Sequence, residues 1–68
     1  MSPAQTLPAD VIVEFTQMGA LVRAAAFDPA TLTEAVVVGP AGAGEAALER
    51  AALAKLAYIL RRRGAAGA

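Results

Sequence analysis

Sixty-eight residues allow a single domain, which buries only about 60% of the surface its unfolded chain exposes. With no Cys and no His, disulfides, Cys/His zinc sites, thiol nucleophiles and histidine acid–base catalysis are excluded. Formal net charge is zero, yet Asp10, Glu14, Asp28, Glu34, Glu45 and Glu49 precede the basic residues Arg50, Lys55, Arg61, Arg62 and Arg63, with Arg23 the one cation among the acids.

Residues 1–9 read as a disordered lead-in, because Pro3 and Pro8 block regular structure and no apolar run marks a signal peptide. From Asp10 to Gln17, Val11, Val13 and Phe15 alternate with Asp10, Glu14 and Thr16. That period of two predicts a strand, with Ile12 the one apolar residue on its polar face. Met18-Gly19 supplies a turn, since Gly takes the positive φ of tight hairpins. Ala20 to Phe27 is then the antiparallel partner, although its alanines also suit a helix. Its buried side is open between Val22, Ala24 and Ala26 on one face and Leu21, Arg23, Ala25 and Phe27 on the other.

Asp28-Pro29-Ala30-Thr31 has the chemistry of a type I turn. Leu32 falls where such a turn often sets a Gly in the left-handed region; either Leu32 adopts that conformation at a cost of about 1 kcal/mol, or the loop is wider here. Thr33 to Gly39 is a third strand, and its valine run, Val36 to Val38, is apolar on both faces. Pro40 to Gly44 is a flexible loop. Glu45 to Arg63 is an amphipathic helix rich in the best helix formers. Leu48, Ala52, Leu53, Leu56, Ile59 and Leu60 share an arc of roughly 140°. The acids at its start and the cations at its end suit the helix dipole. Gly64 ends it, and residues 64–68 fray. The fold class is α+β: a three-stranded antiparallel β-meander followed by one C-terminal amphipathic helix.

The strand–loop–helix run Val36 to Leu48 approaches two phosphate-binding fingerprints. Gly39 and Gly44 have P-loop spacing, but Glu45 and Ala46 stand where the loop needs Lys and a hydroxyl. Gly42, Gly44 and Ala47 fit a loose dinucleotide pattern that requires a further strand after the helix. No cofactor is therefore expected. The acids are too scattered for a calcium loop, so no metal is expected either. No nucleophile, base and orienter come together, so no enzymatic activity is expected.

One helix covers one face of such a sheet. Ile12 and the valine run leave apolar side chains on the other, which invites pairing. Oligomerisation is also the one staple left open to a core this small. The chain is accordingly read as a non-enzymatic interaction module, a homodimer with Ile12, Val36, Val38, Leu53 and Tyr58 as candidate interface. A domain swap of the helix is an option, and an unidentified protein partner is a further one. The alternative is a nucleic-acid or anionic-surface binder using Arg50, Lys55, Arg61, Arg62 and Arg63. Zero net charge and only three aromatic side chains weigh against nucleic acid. No segment is apolar enough for a membrane span, and cytoplasmic residence is the expectation.

The run from Glu14 to Arg63 resembles a group of short uncharacterised alphaproteobacterial proteins. The matching features are the EFT-x-x-G hairpin, the D-P-A-T turn, the V-x-GP step and the LERAALAKLAYIL helix. The resemblance implies strands followed by a helix, with no assigned activity and no site residues. Leu32 departs from the Gly that many of those proteins carry after the turn.

Overall fold

The computed structural model describes residues 10–67; the expected lead-in over residues 1–9 lies outside them. The chain runs β1 (Ile12–Met18), β2 (Leu21–Asp28), β3 (Thr33–Pro40), a short 3-10 turn (Ala41–Ala43) and α1 (Glu45–Gly67). The strands form one antiparallel sheet in the order β1-β2-β3. This is the expected meander with its closing helix.

The element ends carry the differences. Met18 belongs to β1, because the hairpin turn is Gly19-Ala20. Gly19 has φ 63 at the first of the two turn positions, as a type II′ hairpin requires. The helix passes through Gly64 and continues to Gly67, where the sequence reading ends it at Gly64. Gly64 does not adopt the left-handed conformation of a C-terminal cap. Two alanines follow it, and alanine is the strongest helix former. The loop after β3 is a built elbow: Ala41 N–H donates to Ala20 O at 2.8 Å, and Gly44 N–H to Ala41 O at 3.3 Å.

Register settles the second strand. Val22, Ala24 and Ala26 face the helix with Val13 and Phe15 on one side and Ala35 and Val37 on the other. The core holds Ala24, Ala26, Ala35, Ala52, Leu48 and Leu56, flanked by Leu53, Ile59 and Leu60. The apolar arc read from the helix is thus the face it buries. Alanines on both surfaces let the helix lie close to the sheet. It lies over β3 and β2, not over β1, so Val11, Val13 and Phe15 stay half-buried. On the opposite face Ile12, Met18, Leu21 and Val38 are exposed, while Ala25 at its centre is buried.

Candidate functional site

The outer sheet face is made by even-numbered residues of β1 and β3 and odd-numbered residues of β2. Across it, Ile12 pairs with Phe27, Glu14 with Ala25, Thr16 with Arg23 and Met18 with Leu21. On the far side Val36 stands opposite Ala25 and Val38 opposite Arg23. Ile12 is 50% exposed, Met18 44%, Leu21 46% and Val38 53%. These side chains surround a charged centre in which Arg23 approaches Glu34 to 4.0 Å. Such an exposed pair contributes about 0–1 kcal/mol, so it decorates the face without holding it together.

Of the five candidate interface residues, Ile12, Val36 and Val38 lie together on this face. Leu53 lies on the other side of the sheet, packed against the core. Tyr58 is exposed on the helix, with the Arg62 guanidinium 5.9 Å from its ring centroid, a cation–π distance. The five therefore fall on three separate surfaces.

The five candidate anion contacts divide in a similar way. Lys55 Nζ donates to the backbone oxygen of Val36 at 2.8 Å. Arg63 donates to Thr33 Oγ1. Arg62 stands over Tyr58. Arg50 and Arg61 are exposed. At about 100° per residue, Arg61, Arg62 and Arg63 point in three directions, so the cluster in sequence is not one patch in space.

A polar network went unread in the sequence. Asp28 is fully buried and Thr33 nearly so. Asp28 Oδ1 accepts from Ala30 N–H at 3.1 Å, and Oδ2 accepts from the Thr31 hydroxyl at 2.7 Å. With its proton committed there, Thr31 Oγ1 accepts from Thr33, 2.8 Å away, and Thr33 accepts from Arg63. Two hydroxyls thus carry a directional chain from a guanidinium to a buried carboxylate. The chain ties the end of α1 to the β2–β3 turn. The D-P-A-T-L-T run held the signal, in one hydroxyl spaced to reach the carboxylate and a second spaced to reach the first, but the burial of Asp28 had no marker. Buried side-chain polar atoms all have partners among the described residues, so the network is satisfied and structural in character.

A family model described as a domain of unknown function (DUF6898) matches residues 8–63. The chain belongs to this family. The DUF6898 span takes in the three strands, the elbow and the helix as far as Arg63, and so includes every residue of the polar network. No curated protein and no solved structure matches the chain. Among the described residues of this DUF6898 domain, no group of acids could hold a metal ion. No helix among them is long and apolar enough to cross a membrane.

Proposed function

We propose that the domain is a non-catalytic interaction module that associates with a second copy of itself. The observation that carries this reading is the incomplete cover of β1. The helix lies over β3 and β2, so Val11, Val13 and Phe15 keep part of their surface on the helix side. Ile12 and Met18 are about half exposed on the other. The core it borders is small and alanine-rich, and a chain of this size gains little from such a core alone. A second copy adds apolar burial where it is short, at about 25 cal/mol per Å².

Two observations favour this over the anion-binding alternative. Lys55 and Arg63 already engage groups within the fold, and the remaining cations do not converge. Cytoplasmic residence fits this reading. Light scattering across concentration tests it. The expected result is a rise from 6.8 kDa toward twice that mass. A mass fixed at the monomer value to millimolar concentration overturns the proposal. Steep, salt-sensitive binding to DNA, RNA or anionic vesicles would support the alternative instead.

A further inference from the structure

The two edges of the sheet are not equivalent. A two-residue connection makes the flanking pair, Met18 and Leu21, exchange backbone hydrogen bonds. Even-numbered residues of β1 then bond to β2, and Val11, Val13, Phe15 and Gln17 turn their N–H and C=O groups outward. Carried across the sheet, the same alternation turns Val36 outward on β3. The Lys55 ammonium on the Val36 oxygen agrees with that assignment. The β3 edge is thereby covered by a charged side chain, a common device against strand pairing. Among the described residues no side chain is set over the β1 edge in this way. From Val11 to Met18 there is no Pro and no Lys, and Glu14 is the one charge.

We infer that β1 pairs antiparallel with β1 of a second copy, about a twofold axis at Phe15, so that the two sheets become one. The inference rests on the self-association proposed above. Phe15 is the midpoint of Ile12–Met18, so this register overlaps the whole strand. It sets outward-bonding residues opposite one another: Phe15 with Phe15, and Val13 with Gln17. The neighbouring register centred on Glu14 brings two carboxylates face to face, which is destabilising. The one centred on Val13 shortens the overlap and sets Ile12 against Glu14.

The Phe15 register also satisfies the side chains. It joins Ile12 to the partner's Met18, two apolar groups exposed in the single chain. It puts Thr16 between Arg23 and the partner's Glu14. The long guanidinium and the carboxylate can meet over that small residue, twice by symmetry. On the helix side the half-buried Phe15 rings meet across the axis as an aromatic pair. This match of a strand to its own inverse is the reason to name a second copy as the occupant.

Disulfide trapping in the full chain tests the register, because the parent has no Cys. Ile12 and Met18 sit at opposite ends of one strand, roughly 20 Å apart, and cannot bond within a chain. In the paired sheet they are direct neighbours. Mild oxidation should convert the Ile12→Cys/Met18→Cys variant to covalent dimer, with neither single variant trapping comparably. A charge exchange gives an independent readout. Ile12→Lys should weaken dimerisation at least about 10-fold, near 1.4 kcal/mol, and adding Met18→Glu should restore it.

A parent that stays monomeric overturns both this inference and the reading beneath it. A dimeric parent whose double-Cys variant does not trap, or traps no better than Ile12→Cys alone, overturns the β1 pairing and leaves self-association standing. Failure of Met18→Glu to rescue Ile12→Lys has the same meaning.

Discussion

Gly39 lies against Leu48 of the helix, and an added methyl group there measures how tightly the two layers fit. A Cβ on Gly39 would stand 2.6 Å from Leu48 Cδ2. That is about 1 Å inside the separation at which two carbon atoms attract. Leu48 is 7% exposed and part of the core, so its side chain must change rotamer among packed neighbours. Overpacking of this kind costs about 1–3 kcal/mol. Gly39 has no positive φ, so Ala also removes about 0.5–1 kcal/mol of unfolded-state entropy that opposes folding. The net expectation for Gly39→Ala is a loss of about 0.5–2 kcal/mol. Urea denaturation followed by circular dichroism, at one fixed protein concentration, reads it. Leu48→Ala alone costs about 2–5 kcal/mol. In the double variant the collision is gone and the new methyl fills part of the vacated space. The two effects should then fall short of additivity by at least about 1 kcal/mol. A Gly39→Ala variant as stable as the parent, or a strictly additive pair, refutes the reasoning.

Three further expectations concern the turn, the polar network and the β3 edge. Leu32 holds φ 57 and is 77% exposed, so Leu32→Gly relieves strain at no packing cost and should stabilise by up to about 1 kcal/mol; a lower urea midpoint would contradict this. Thr33→Val deletes the central hydroxyl between Thr31 and Arg63 and should cost about 1–3 kcal/mol. Thr33→Ser should lose much less, and equal losses would show that the hydroxyl chain is not what matters. Lys55→Met keeps the aliphatic stem but uncovers the Val36 carbonyl, so light scattering should report species beyond the dimer that grow with concentration. Scattering unchanged from the parent counts against edge protection by Lys55.

The strands and the helix were legible because their periodicities differ. Val11, Val13 and Phe15 repeat every second residue, whereas Leu48, Ala52, Leu56 and Ile59 follow a helical face. The turn was legible from Asp28 and Pro29, four and three positions before Leu32, but the choice between a left-handed Leu32 and a wider loop was not, and the chain takes the left-handed form. The buried face of β2 was not, because Ala24, Ala25 and Ala26 carry almost no contrast between sides. The helix end was misplaced at Gly64 because glycine signals a stop only where the chain turns left-handed, and here it does not. Interface candidates chosen for apolarity were scattered for a related reason. Leu53 lies within the apolar arc and is packed against the core, whereas Tyr58 lies outside that arc and is exposed, so the two could not share a surface with the strand residues. Nothing in the order of residues announces that Lys55 reaches Val36 or Arg63 reaches Thr33, since both contacts depend on how the helix crosses the sheet.

The contact plane between helix and sheet is tiled with single methyl groups, at Ala24, Ala26, Ala35 and Ala52, each at most 1% exposed. Leu48 and Leu56 in the same core are hurt by truncation, whereas these four alanine positions are hurt by growth. Any larger residue at those four positions wedges the layers apart and weakens every other contact between them at once. Attempts to make the domain more heat-resistant by adding bulk at its centre would therefore work against themselves, and the room for improvement lies at the perimeter along β1.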